Sequence, residues 1–179
     1  ATLSSSAALA QAQPVIGLIT KTETNPFFVK MKEGAAEAAK AKGAKLLTGA
    51  GKTDGDNAGQ VTAMENMIAA GAKTILITPS DSKPIIPAIK KARDKGVMLH
   101  THLAENDGDI AYSLANFGCR PGQYAEDLGW TGADAWHAHC VKLDGEEIDL
   151  FARSGTGVAY CPCSNCRLGS GIAPVRDMR

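Results

Sequence analysis

Length, composition and charge are those of an ordinary globular chain, and they exclude two classes of partner. The chain has 179 residues, of which 44% are hydrophobic and 21% charged, and its formal net charge is zero. No apolar run approaches the roughly 20 residues that span a bilayer. A neutral chain also offers no bulk attraction for nucleic acid. We therefore expect neither membrane insertion nor nucleic-acid binding.

The zero net charge is a cancellation between two parts of different character. Residues 1–98 carry 13 basic and 8 acidic side chains, whereas residues 99–179 carry 6 basic and 11 acidic ones. All four histidines and all five cysteines follow residue 98. The change falls at Val97–His100, a segment that we call the seam. Opposite charges on the two parts favour self-association, so a homodimer is one expectation.

The segment 1–13 and the cysteines give opposite indications of cellular compartment. Residues 1–13 are small, uncharged and rich in Ala and Ser, which is typical of the end of a secretory signal peptide. We expect this segment to be a disordered remnant that indicates periplasmic ancestry. Five cysteines cannot all pair within one chain, so reduced thiols and cytoplasmic expression are the default. The sequence leaves the localisation open.

From Pro14 onward, short β-branched runs alternate with longer amphipathic runs, which predicts βα units around a parallel sheet. The predicted strands are 15–20, 44–47, 74–78, 97–101, 135–140 and 157–161. The predicted helices are 25–42, 56–70, 83–95, 109–117, 122–128 and 146–152. Asn25 is expected to cap the first helix and Gly43 to end it. Asp144 and Glu147 have the spacing of a capping box.

The first part contains three sequence segments that carry a family resemblance: VIGLITKTETNPFFVKMKEGAAEAAKAKGAKLL, DGDNAGQ and TILITPSDS. Residues 14–98 thereby resemble the N-terminal lobe of a periplasmic sugar-binding protein, the receptor of an ABC importer of the ribose and galactose type. The resemblance implies that Asn25, Phe27 and Phe28 face a sugar. The alternative is that Asn25 only caps the helix while both Phe side chains pack against the sheet.

The second part carries the strings LHTHLAE, FGCRPGQYAEDLGW, WHAHCVKLDGEEI and GTGVAYCPCSNCRLGSGIAP. Residues 97–175 thereby resemble strands five to seven of a cytosine/guanine-deaminase-like amidohydrolase, a metal-dependent (βα)8-barrel hydrolase. The resemblance implies that His102 is a metal ligand and that Glu105 shuttles protons. It also implies that His139 touches the metal or polarises the substrate.

By the same resemblance, Asn165 and Arg167 shape the substrate pocket. The pattern departs from the family because the H-x-H pair of the first barrel strand and the aspartate of the eighth are not found. A catalytic metal site needs three or more protein ligands, and His102 with His139 supplies two. No cofactor is therefore required, although the two histidines could hold adventitious Zn²⁺ or another divalent metal.

The cysteines of the second part allow two interpretations. Cys161, Cys163 and Cys166 form a C-x-C-x-x-C run whose sulfur ligands suit Zn²⁺ or Ni²⁺. The alternative is that free cysteines act as small buried hydrophobes, and Cys140 and Cys161 are then expected in the core. His100 and His137 are expected to have structural roles.

These units predict a single α/β domain over residues 14–179, preceded by the segment 1–13 and built from residues 14–98 and 99–179. We expect an open, doubly wound parallel sheet of about six strands in the order 2-1-3-4-5-6, like a periplasmic-binding-protein lobe or flavodoxin. The alternative is a partial (βα) barrel that dimerisation completes.

Three functions remain open at this point. The first is an engineered or recombined chimeric scaffold without intact inherited activity, which leans against an enzyme. The second is a metal-dependent amidohydrolase, like a purine or pyrimidine deaminase, with residual activity. The third is a weak sugar-binding module.

Overall fold

The computed structural model describes residues 13–179, so the predicted signal remnant lies almost entirely outside the described residues. The strands are β1 (Val15–Thr20), β2 (Lys45–Ala50), β3 (Thr74–Ile77), β4 (Met98–Leu103), β5 (Ala135–His139) and β6 (Gly157–Ala159). The helices are α1 (Pro26–Ala41), α2 (Asn57–Ala69), α3 (Ile86–Asp94), α4 (Asp107–Phe117), α5 (Pro121–Asp127), α6 (Gly145–Ser154) and α7 (Pro162–Leu168). None of these helices has the length and apolar character that a membrane crossing requires.

The six strands form one parallel sheet in the order β2-β1-β3-β4-β5-β6, which confirms the predicted order. The seam lies at the centre of this sheet, because β4 pairs with β3 on one side and β5 on the other. Leu99 is paired with Ile75 of β3 and with Ala135 of β5. The two parts of the chain therefore share one uninterrupted hydrogen-bonded ladder.

The predicted helix ends are confirmed at both ends of the chain. The Asn25 side chain accepts a hydrogen bond of 2.9 Å from the Phe27 amide, and Gly43 has a φ of 66°. Asp144 and Glu147 form the reciprocal capping box at the start of α6. These local signals fix where the α1 and α6 helices begin, and hence where the loops before them run.

Several element bounds differ from the predictions: α3 begins at Ile86 and not at residue 83, β4 ends at Leu103 and not at residue 101, and β6 ends at Ala159 and not at residue 161. β2 begins at Lys45 and runs to Ala50, beyond the predicted end at residue 47. The helix α7 was not predicted, because its sequence PCSNCRL lacks an apolar period. Pro162 suits its first turn, and Gly169 ends it with a φ of 69°.

The larger of two apolar core clusters crosses the seam. Ile75, Ile89 and Leu99 are packed in the same buried cluster as Ala125 and Trp130, which belong to the second part. Burial of apolar surface is the dominant favourable term in folding, so a shared core couples the two parts energetically.

An ion pair also bridges the parts at the end of α3. The Arg93 guanidinium donates to both carboxylate oxygens of Asp134, at 2.6 and 2.7 Å, and to the Gly129 carbonyl. Such a bidentate fork is stronger and more directional than a single hydrogen bond. It fixes α3 against the loop that leads into β5.

Two neighbouring residues at the seam provide a matched test of this shared core. Leu99 is 1% exposed and Met98 is 43% exposed. Leu99→Ala should lower the free energy of unfolding by about 2–5 kcal/mol, because it leaves a cavity beneath both parts. Met98→Ala should change it by less than about 1 kcal/mol. Urea titration measures both, and equal losses would contradict a core centred on Leu99.

Candidate functional site

A cleft of about 920 Å³ lies at the carboxyl ends of the strands, where open parallel sheets bind ligands. The first part lines it with Lys21, Asn25, Phe27, Phe28, Asp54, Thr78, Pro79 and Ser82. The second part supplies groups that include His100, His102, Glu105, His139 and Tyr112. Apart from Asn165 and Arg167, the residues implied by the two resemblances thus meet in one cleft.

Positive φ angles mark the ends of the two strands that carry the deaminase-like residues. Ala104 has a φ of 48°, His139 of 73° and Cys140 of 50°. Each such conformation costs a non-glycine residue about 1–3 kcal/mol, and such residues cluster at functional sites. The strain here turns the chain sharply after β4 and β5.

His139 lies between an amide and a carboxylate. Its Nδ1 is 3.0 Å from Asn165 Nδ2 and 3.4 Å from Glu105 Oε1. Donation from the amide to Nδ1 requires the tautomer with the ring proton on Nε2. Glu105 Oε1 is buried and has no hydrogen-bond partner among residues 13–179. Glu105 is among the residues that line the cleft, so this oxygen is an acceptor without a donor beside the cleft.

His102 stands beside His139, with 5.1 Å between their ring centroids. Burial lowers the pKa of His102 to about 4, with a smaller contribution from repulsion by His139 and His100. His102 is consequently neutral near pH 7. His102 and His139, which the resemblance implies to face a metal, lie at the carboxyl ends of the neighbouring strands β4 and β5, as the strand pattern predicts.

The side chains of this site do not fit a complete catalytic metal centre. Such a centre needs three protein ligands and an open position. Residues 13–179 contain no group of three or more His, Cys, Asp or Glu side chains arranged to hold a metal ion. In the tautomer that accepts from Asn165, moreover, neither ring nitrogen of His139 offers a lone pair to a metal. His102 is then left as the one free imidazole ligand of the pair.

The other two histidines have structural contacts. His137 is fully buried, and its Nε2 lies 2.9 Å from the Trp130 carbonyl oxygen. His100 Nδ1 lies 2.9 Å from the Trp136 carbonyl oxygen, and its ring stacks on Trp136. His100 also lines the cleft.

For Asn25, Phe27 and Phe28, the two alternatives were that they face a ligand or that they only cap and pack the first helix. Each alternative describes part of what the structure shows. Asn25 lines the cleft, but its Oδ1 is already used by the Phe27 amide as the cap of α1. Phe28 is buried against the protein, whereas Phe27 is 62% exposed at the cleft. Phe27 is therefore the aromatic ring of this pair that a ligand could stack on.

The remaining predicted residues are placed as follows. Asn165 is fully buried behind His139, and Arg167 is exposed on α7, so neither is among the residues that line the cleft. Cys140 lies in the core as expected. Cys161 does not: it is only half-buried and lines the cleft, because the chain leaves the sheet at Ala159, two residues earlier.

No role was predicted for one supporting residue, Gln60. This side chain is fully buried, and its Nε2 donates to the carbonyls of Thr20 and Thr78 at 3.0 and 2.9 Å. Its Oε1 accepts from the Ser80 amide at 2.8 Å. Gln60 thereby connects the end of β1 to the segment that follows β3, and residues beside both contacts line the cleft. The backbone partners of Gln60 lie 18, 20 and 40 residues away along the chain, so its role has no local signature.

Fold and cleft together define an α/β protein with a cleft at the carboxyl edge of a parallel sheet, which is where such sheets commonly bind small molecules. The sequence model of the periplasmic binding protein domain matches residues 16–142, and the chain belongs to that family. The match runs well past the seam, where β4 and β5 continue the same βα alternation.

Curated relatives show a second similarity. The chain is 52% identical over 89 residues to an isoxanthopterin deaminase from an unknown prokaryotic organism, covering 49% of this chain and 18% of the relative. It is 37% identical over 109 residues to the 8-oxoguanine deaminase of Pseudomonas aeruginosa, covering 58% and 24%. The chain thus spans about a fifth to a quarter of these relatives. It thus combines a periplasmic binding protein domain with a segment that is similar to part of the deaminases.

Solved structures show the same two likenesses in the fold. An Arthrobacter aurescens atrazine chlorohydrolase in complex with zinc has a TM-score of 0.66 at 22% identity, covering 82% of this chain and 38% of that one. An Actinobacillus succinogenes periplasmic solute-binding protein with bound D-allose has a TM-score of 0.50 at 24% identity, covering 83% and 58%. At these identities the likeness concerns the fold alone.

The buried imidazole of His137 predicts a loss of stability in acid. Burial lowers its pKa from the usual 6.5 to about 4, so the unfolded chain binds more protons between these pH values. Stability should therefore fall as pH falls from 6.5 to 4, by about 3 kcal/mol from this residue.

His137→Gln keeps a donor for the Trp130 carbonyl and removes the titration. The difference in unfolding free energy between wild type and variant should shrink by that amount between pH 7 and pH 4. Denaturant titrations at several pH values measure it. A difference that stays constant with pH would show that His137 does not titrate in this way.

Proposed function

We propose that this chain is a recombined α/β scaffold that binds a small planar ligand in its cleft and has no intact inherited hydrolase activity. One observation carries the binding half of this proposal. Glu105 Oε1 is a buried acceptor at the cleft with no hydrogen-bond partner among residues 13–179. A buried carboxylate oxygen without a donor costs free energy, which a ligand's N–H group would recover.

The walls of the cleft favour a planar ligand. Phe27 and Tyr112 are 62% and 63% exposed and line the cleft, and Phe117 stacks on Tyr124 in the same wall. Aromatic faces bind flat rings by stacking, while a few placed polar groups orient them. A nitrogen heterocycle with an amino or ring N–H group meets both requirements.

The side chains at the cleft do not supply the ligands that a hydrolytic metal centre needs. In the tautomer of His139 that accepts from Asn165, His102 alone of the two histidines has a ring nitrogen free for a metal, and residues 13–179 group no three His, Cys, Asp or Glu side chains to hold one. Without a metal, Glu105 and His139 can bind and exchange protons, but nothing among them generates a hydroxide nucleophile at neutral pH.

A second candidate is a metal-dependent amidohydrolase with residual activity. The 3.4 Å approach of Glu105 Oε1 to His139 Nδ1 favours it, because a carboxylate and an imidazole in contact can pass a proton between ligand and solvent. A weak sugar-binding module is less favoured, since the side-chain oxygen of Asn25 is already engaged as a cap.

Calorimetry with guanine, adenine and cytosine tests the binding half of the proposal. At least one of them should bind, and Glu105→Gln should weaken that binding by roughly tenfold or more, because it removes the charge and keeps the shape. Glu126→Gln, on the exposed face of α5, is the matched control and should leave binding unchanged. Heat with none of the three, or equal binding by wild type and Glu105→Gln, would contradict this half.

Ammonia release from the same compounds, with and without added Zn²⁺, tests the other half. We expect none in either condition. Zinc-dependent release that Glu105→Gln abolishes would overturn the proposal in favour of the amidohydrolase. Binding of a pentose or hexose, with none of the heterocycles bound, would favour the sugar-binding module instead.

A further inference from the structure

Two thiols stand exposed on the short helix α7. Cys163 and Cys166 are both free and exposed, and they lie three residues apart within Pro162–Leu168. Residues at this spacing lie on the same side of a helix, with Cβ atoms about 5–6 Å apart. They are thus a pair of neighbouring nucleophiles outside the cleft.

The other cysteines are less available. Cys140 is fully buried, and burial raises the pKa of its thiol to about 12. Burial also raises the pKa of the Cys119 thiol. Cys161 is half-buried, and its Sγ donates to the Ala159 carbonyl. Thiolate formation and exposure govern cysteine reactivity, so the α7 pair is the most accessible in the described chain.

We propose that Cys163 and Cys166 form a dithiol site that reacts with low-molecular-weight disulfides, such as glutathione disulfide, and closes to an intramolecular disulfide. The Cα atoms of residues three apart in a helix are about 5 Å from each other, within the range that a disulfide spans. The Cβ atoms must approach to about 4 Å, so closure contracts this turn of α7 by about 1–2 Å.

The chemistry balances in two exchange steps. One deprotonated thiol attacks a sulfur of glutathione disulfide, the S–S bond breaks, and one glutathione thiolate leaves. The second deprotonated thiol then attacks the protein sulfur of the mixed disulfide and expels the other glutathione. The chain is oxidised by two electrons, and two glutathione molecules leave in reduced form with the two thiol protons.

The two residues enclosed by this disulfide connect it to the cleft. Ser164 lines the cleft, and Asn165 is the buried partner of His139 Nδ1 at 3.0 Å. Contraction between Cys163 and Cys166 must shift the backbone that carries Asn165. The disulfide state of α7 is therefore coupled to the hydrogen bond that orients His139.

Incubation of the reduced full chain with glutathione disulfide tests the site. Intact mass should fall by two hydrogens with no glutathione retained, and peptide mapping should locate the bond at Cys163–Cys166. Cys166→Ser should instead trap one glutathione on Cys163, while Cys119→Ser should still close the disulfide. No reaction, stable adducts on both thiols, or a bond through Cys161 would overturn the proposal.

NMR tests whether the Cys163–Cys166 disulfide is coupled to the Asn165–His139 hydrogen bond. The ring nitrogen signals of His139, followed by NMR, should shift on oxidation and return on reduction with dithiothreitol. The Cys163→Ser/Cys166→Ser double variant, treated identically, should show no shift. Unchanged His139 signals in an oxidised wild type would show that the disulfide does not reach the cleft.

Discussion

The pairing of β3 with β4 is the constraint on which the rest of this molecule depends. It is a parallel ladder between β3, in the first part of the chain, and β4, with which the second part begins. Parallel strands with helical crossovers place all their carboxyl ends at one edge, whatever their sequence. Once β4 is in register with β3, the loops of both parts must therefore open into the same cleft.

The shared edge explains the composition of the cleft. A receptor lobe and a barrel hydrolase both use the carboxyl ends of parallel strands for their ligands. The shared edge consequently places Asn25 and Phe27 in the same cleft as Glu105 and His139. The Arg93–Asp134 fork and the core around Leu99 hold this arrangement together across the seam.

Much of the fold could be predicted because its signals are local. Asn25, Gly43 and the Asp144–Glu147 pair mark helix ends by backbone hydrogen bonding within a few residues. The strand order followed from the receptor resemblance and the βα alternation. The helix α7 could not be predicted in the same way, because a seven-residue helix held by tertiary contacts needs no apolar period.

The placement of His102 and His139 at the carboxyl ends of neighbouring strands was predictable from the strand pattern, and Glu105 follows in the next loop. The positions of Asn165 and Arg167 outside the cleft were not predictable in this way, and the chemical roles of all these residues remain predictions. Three features depend on long-range packing that no motif encodes: the contact of Asn165 with His139, the half-burial of Cys161 and the bracing of the loops by Gln60. The residues of the two resemblances lie in separate parts of the sequence, whereas the fold brings most of them into one cleft.

Native-state amide hydrogen exchange tests most directly whether the first and second parts of the chain form one folding unit. Core amides of the first part, at Ile19 and Ile75, should open with the same free energy as those of the second, at Leu99 and Ala138, and that value should equal the global free energy of unfolding. All four residues lie in paired strands of the sheet. A lower opening free energy for all the amides of one part would contradict a single cooperative core.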